Sequence, residues 1–118
     1  MTYDQNLADR IRKHLAEQGI TTVEEKKMFR GLAFMVNGKM CINVSGDKLM
    51  CRFNPDLSDL VAQRKGYEPM VMKGKELTGY CYVHPGGFET NKDFTYWVSL
   101  CLDFNKDAKA SKKKKIKS

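Results

Sequence analysis

Residues 31–53 decide the fold: Gly31-Leu32-Ala33-Phe34-Met35-Val36-Asn37-Gly38-Lys39-Met40-Cys41-Ile42-Asn43-Val44-Ser45-Gly46-Asp47-Lys48-Leu49-Met50-Cys51-Arg52-Phe53. Asn37-Gly38 is the strongest hairpin signal in the chain, because both central residues of a type I′ turn need positive φ, and Gly46-Asp47 repeats the device. With two-residue loops at both, Val36 pairs with Lys39 and Phe34 with Cys41, while Ser45 pairs with Lys48 and Ile42 with Cys51. Side chains alternate along a strand, so this register predicts faces. Ala33, Met35, Met40, Ile42, Val44, Leu49, Cys51 and Phe53 share one face and make a core for covering helices. Leu32, Phe34, Val36, Cys41 and Met50 fall on the other, among Lys39, Asn43, Lys48 and Arg52.

An antiparallel sheet with helices on one side turns polar residues outward on the other. A second face carrying Leu32, Phe34, Val36 and Met50 therefore needs a cover. Either a later segment of the same chain supplies it or a partner docks there, since contiguous apolar patches mark interfaces. A two-fold homodimer is the plain version. These four residues are the expected partner-binding set.

Upstream, Thr2 and Gln5 have the spacing of a capping box, and Leu7, Ile11 and Leu15 recur as on an amphipathic helix that Gly19 ends. From Glu25 the period changes to two, and residues 26–30 read as a first strand. Downstream, Asn54-Pro55 supplies the N-cap and first residue of a short second helix running past Leu57, Leu60, Val61 and Arg64 until Gly66. Residues 70–73, a Gly74-Lys75 turn and residues 80–83 form a second hairpin, closed by Pro85-Gly86-Gly87. Thr90 caps a last helix with Asp93 in its first turn, and Phe94, Trp97, Val98, Cys101 and Leu102 give its apolar face. No βαβ alternation calls for a parallel sheet. The order defines an α+β fold, a two-layer α/β sandwich with an antiparallel sheet and helices packed on one face.

Of the 118 residues, 1–105 make one domain and 106–118 a lysine-rich tail, expected to be disordered. The tail carries seven lysines against one aspartate, a net +6 of the chain's +7, so the body is nearly neutral. A nearly neutral body has no obligatory anionic partner. The block Lys112, Lys113, Lys114 and Lys115 attracts nucleic acid through salt-sensitive counterion release without sequence selectivity, or simply solubilises the chain. Lys26, Lys27 and Arg30, with Met28 and Phe29 between them, have the mixed basic and aromatic composition of sheets that bind single strands, and equally that of a packed strand. They are the candidate nucleic-acid set on the body.

No chemistry of high specificity appears elsewhere. Cys41, Cys51, Cys81 and Cys101 form no CxxC pair, and His14 and His84 stand at no usual ligand spacing from them, so reduced thiols in a core are expected, with no metal and no cofactor. A reactive thiol at Cys41 or Cys81 is the competing reading. His84-Pro85-Gly86-Gly87 looks superficially like an oxyanion-hole loop, but no serine sits in a GxSxG elbow, and His84 reads as a strand end. Glu24 and Glu25 adjoin on a strand and point to opposite faces. The glycines are turn residues, never GxGxxG or a P-loop. There is no apolar run of about 20 residues for a membrane span and no secretory segment, which reads as a cytoplasmic protein, and the lack of any specific nucleophile, metal or phosphate motif reads as not an enzyme.

Lys26-Lys27-Met28-Phe29-Arg30-Gly31-Leu32-Ala33-Phe34-Met35-Val36-Asn37-Gly38-Lys39-Met40 resembles the opening sheet of the TfoX N-terminal domain family. The likeness continues through Tyr3 and Asp4, residues 7–11, Ser45-Gly46-Asp47 with Leu49, Pro69-Met70, Gly79-Tyr80 with Tyr82-Val83, and Trp97-Val98, and so spans about residues 1–105. It implies an α-β(3)-α-β(2)-α two-layer fold like that of secretion-chaperone-type domains, with a related architecture in the YjbR-like DNA-binding group. Full-length members of the family are regulators of competence gene expression, thought to act beside a transcription activator, and carry a second, helical C-terminal domain. Here the sequence runs into lysines instead. The resemblance implies a non-enzymatic regulatory module that contacts a protein partner, in the transcription machinery or a second copy of itself; it brings no catalytic residues. Direct nucleic-acid binding is the alternative.

Overall fold

Both two-residue turns form where positive φ is available. The computed structural model describes residues 3–28 and 31–107. Asn37 and Gly38 take φ of 54° and 80°, reversing β2 (Gly31–Val36) into β3 (Lys39–Ser45), and Gly46 at 61° turns β3 into β4 (Lys48–Arg52). β1 (Val23–Met28) flanks β2. A later hairpin joins β5 (Tyr67–Met72) to β6 (Lys75–Val83), and its loop is Lys73-Gly74, one residue earlier than the Gly74-Lys75 turn expected. Lys73 and Gly74 both have positive φ, the I′ requirement again. The six strands pair antiparallel throughout in the order β1-β2-β3-β4-β6-β5.

Three pairs of the expected register hold: Val36 with Lys39, Ser45 with Lys48 and Ile42 with Cys51. The fourth does not. Phe34 lies opposite Ile42 rather than Cys41, because a bulge between Phe34 and Met35 leaves Cys41 as an extra residue in β3. One inserted residue inverts the alternation on one side of it. Leu32, Phe34, Val36 and Cys41 therefore join Ile42, Val44, Leu49, Cys51 and Phe53 in a single core. The split into two faces expected from strict alternation is corrected accordingly. The driving term is size: burying Leu32 and Phe34 removes more apolar area from water than burying Ala33 and Met35 would.

Two helices cover that core. α1 (Gln5–Glu17) contributes Leu7, Ala8, Ile11 and Leu15, and α3 (Asn91–Asp107) contributes Phe94, Trp97, Val98 and Cys101. The cap of α1 is Asp4, whose carboxylate accepts from the backbone N–H of Asn6 at 2.9 Å and of Leu7 at 3.3 Å. This displaces the capping box expected at Thr2, which lies outside the described residues. Thr90 caps α3 as read, its hydroxyl accepting from Asp93 N–H at 3.1 Å. Asn54 caps a 3₁₀ turn, Pro55–Leu57, and α2 (Ser58–Val61) is a single turn, shorter than the helix expected. Trp97 fixes α3 to the segment after β6 by donating its indole N–H to the Gly87 carbonyl at 3.1 Å. Gly31 is glycine for contact reasons, since a Cβ there would come within 1.8 Å of the Val44 carbonyl oxygen. No described helix is long and apolar enough to cross a membrane.

Candidate functional site

The partner-binding set lies inside the molecule. Leu32, Phe34 and Val36 are 4%, 0% and 2% exposed beneath the helices, and Met50 is 1% exposed. The greasy patch is thus covered by segments of the same chain, and these four residues are not available for docking in the folded domain. The bulge at Cys41 is the physical reason, since it delivers three of them to the helical side.

The basic set is dispersed. Lys26 pairs with Ala33 and Lys27 with Leu32, so the two exposed lysines point to opposite faces of β1. Arg30, Phe29 and the tail lysines Lys112, Lys113, Lys114 and Lys115 lie outside the described residues.

What the fold leaves without a covering helix, among the described residues, is the other face of the sheet. Alternation from the observed register places there Ala33 and Met35 of β2, Met40 and Asn43 of β3, Lys48, Met50 and Arg52 of β4, and Tyr80 and Tyr82 of β6. Asn43 and Met50 pave its centre, the amide donating to the Met50 sulfur at 3.6 Å, and both are fully buried beneath their neighbours. Around them Met35, Met40, Lys48, Arg52, Tyr80 and Tyr82 are half-buried.

Pairing of β4 with β6 then sets cations beside rings. Met50 opposes Tyr82 and Arg52 opposes Tyr80. The Lys48 ammonium lies 4.6 Å from the centre of the Tyr82 ring, and the Arg52 guanidinium lies 6.0 Å from Tyr80 and 5.4 Å from Phe104 of α3, so the end of that helix reaches Arg52 at the margin of the face. At the rim, Glu68 of β5 accepts from Lys48 at 3.5 Å and meets His84 Nε2 at 2.5 Å. His84 directly follows β6, in keeping with its reading as a strand end, and stands before the Pro85–Gly87 3₁₀ turn without a side-chain cap hydrogen bond. The residues sequence reasoning passed over as a site are Lys48, Arg52, Tyr80 and Tyr82. Their alternation along each strand was visible, but their apposition depends on β4 meeting β6.

The thiols sit in the core. All four cysteines are free and buried. Burial pushes the Cys41 thiol far above its ordinary range, with the neighbouring Cys101 adding to the rise. Burial likewise raises Cys51, which also makes thiol contacts with Cys101 and Cys81. A thiolate, the nucleophilic form, is disfavoured at both. Among the described residues no three His, Cys, Asp or Glu side chains gather to hold a metal ion.

Residues 14–105 match the family model described as TfoX N-terminal domain. Neither the curated proteins nor the solved structures contain a match.

Proposed function

Because the chain belongs to the TfoX N-terminal domain family, we propose that it is a regulatory module of transcription or competence-type gene control that docks on a protein partner through the uncovered sheet face. The observation that carries this reading is the composition of that face. Tyr80, Tyr82, Met35, Met40 and Arg52 are of the types enriched in protein interfaces, and all are already half-buried. Ordering them further costs less side-chain entropy than ordering free surface residues. Lys26, Lys48 and Arg52 are nearly balanced by Glu24 and Glu68 on the same side, so the face exerts no strong pull on a polyanion. The proposal assigns the protein no catalytic step: contact is the function.

Complementation tests it. Transcript levels in cells lacking this protein are compared after restoring the wild type or a Tyr80→Glu, Tyr82→Glu variant. The wild type should restore the pattern and the variant should not, while its melting temperature stays within a few degrees. Full complementation by the variant, or no transcript change on deletion, overturns the proposal. Light scattering on the same two proteins decides whether the partner includes a second copy of the chain.

A second reading, direct nucleic-acid binding by Lys26, Lys27, Arg30 and the tail lysines, is favoured by the exposure of Lys26 and Lys27 on the outermost strand.

A further inference from the structure

α1 and the first turn of α3 line an open cavity of about 420 Å³ on the side of the molecule away from the uncovered sheet face. That volume falls within the range of about 300–1,000 Å³ found for small-molecule sites. Arg10, Lys13 and His14 project from α1 onto its wall, and Asn91, the first residue of α3, closes the opposite end.

Two features of this cavity call for an anion. Arg10 is held in place by donating Nη1–H to the Phe88 carbonyl at 3.1 Å and by lying 4.1 Å from the centre of the Phe94 ring. No carboxylate among the described residues pairs with it, so a half-buried guanidinium is fixed at the cavity without a counter-charge. His14, only 9% exposed, lines the same cavity and its Nε2 has no hydrogen-bond partner. That nitrogen is sealed from solvent, so what His14 presents to the cavity is another part of its ring. Finally, the Thr90 cap takes the N–H of Asp93 and Phe94 but not those of Asn91 and Lys92, which leaves the positive end of a 17-residue helix at the wall. Glu17 is the only acidic side chain on the lining, against Arg10 and Lys13.

We propose that this cavity binds a small, hydroxylated phosphomonoester, with its phosphate on Arg10, Lys13 and the first turn of α3 and against His14. Phosphate is favoured over a simple carboxylate because two cations and a helix N-terminus share the lining of one cavity, a setting that suits a doubly charged oxyanion. The cavity is larger than a bare phosphate requires, and Glu17, Gln18 and Thr95 give the remainder hydroxyl-binding partners. This inference does not rest on the docking role proposed for the sheet.

Amide and imidazole NMR of the full chain, titrated with glucose 6-phosphate, glucose, inorganic phosphate and sulfate, tests it. Glucose 6-phosphate should give saturable shifts at residues 91–93 and at the His14 ring. A lost charge-assisted hydrogen bond corresponds to about tenfold in affinity, the weakening expected for Arg10→Ala. Arg10 also braces Phe88 and Phe94, so Lys13→Glu is the second variant; Lys13 is exposed, and the change should weaken binding severalfold with an unchanged melting temperature. Shifts confined to the lysine-rich end, equal shifts with glucose, or equal affinity of Lys13→Glu and wild type overturn the site. Equal affinity for inorganic phosphate or sulfate overturns the hydroxylated body of the ligand.

Discussion

Arg12 of α1 grips Glu25 of β1 in a two-point fork, Nε to Oε2 at 2.7 Å and Nη2 to Oε1 at 2.9 Å, tying the first helix to the outermost strand. Hydrogen bonding from Arg12 lowers the Glu25 pKa against the opposing effect of partial burial, and the same contact raises that of Arg12. A carboxyl lowered in the folded state contributes stability that is present above its unfolded pKa and is lost as pH falls through the folded one. Solvent reaches both partners, whose side chains are 42% and 35% exposed, and screening limits the gain.

Glu25→Gln should therefore cost about 0.5–1 kcal/mol at neutral pH. In urea denaturation the gap to wild type should close as the solution is acidified through the Glu25 pKa. A gap that stays constant with pH would show that shape, not charge, holds α1 to β1.

Phe34→Ala should cost about 3–5 kcal/mol, the usual penalty for removing a buried aromatic ring. Met35→Ala, on the uncovered side, should cost under about 1 kcal/mol. Denaturant midpoints of the two variants check the bulge directly, because strict alternation from the Asn37-Gly38 turn would rank them the other way.

The cysteines should resist alkylation in the native state. With Cys41 and Cys51 pushed far above the ordinary thiol range, native labelling should be slow for all four, and fast in denaturant. Mass spectrometry of a neutral-pH time course would reveal a rapidly modified cysteine, the result that revives a thiol-based activity.

Nucleic-acid binding by the full chain should weaken steeply with added salt if the lysines carry it. Deleting residues 106–118 should remove the binding when only the tail is involved. Filter binding or anisotropy that retains a salt-dependent signal after the deletion would assign the contact to Lys26, Lys27 and Arg30.

Local signals in this sequence proved readable, and non-local ones did not. Asn37-Gly38, Gly46, Asn54 and Thr90 set turns and caps within a few residues of themselves, and each acts where its chemistry indicates. The extra residue at Cys41 is decided by what α1 and α3 must cover, information held more than 20 residues away on either side. A hint was available in the greater bulk of Leu32 and Phe34 over Ala33 and Met35. The uncovered face was hidden for a similar reason, since Lys48 and Arg52 meet Tyr82 and Tyr80 only through the pairing of β4 with β6. Lys26 and Lys27 show the reverse failure: adjacency in sequence suggested one patch, and strand geometry divides them.

Every pair of sheet neighbours is also consecutive in the chain except β4 and β6. β1 to β4 pair through short turns, whereas β4 meets β6 only across the longer connection that holds the Pro55–Leu57 3₁₀ turn, α2 and β5, a contact with a larger loop-closure cost. Without β6 beside it, Lys48–Arg52 is an open flank of the kind that can pair with another chain. Its two end residues are both cationic, and like charges disfavour pairing with an identical flank, so the side chains that lie beside the tyrosines also oppose self-association of an undocked β4.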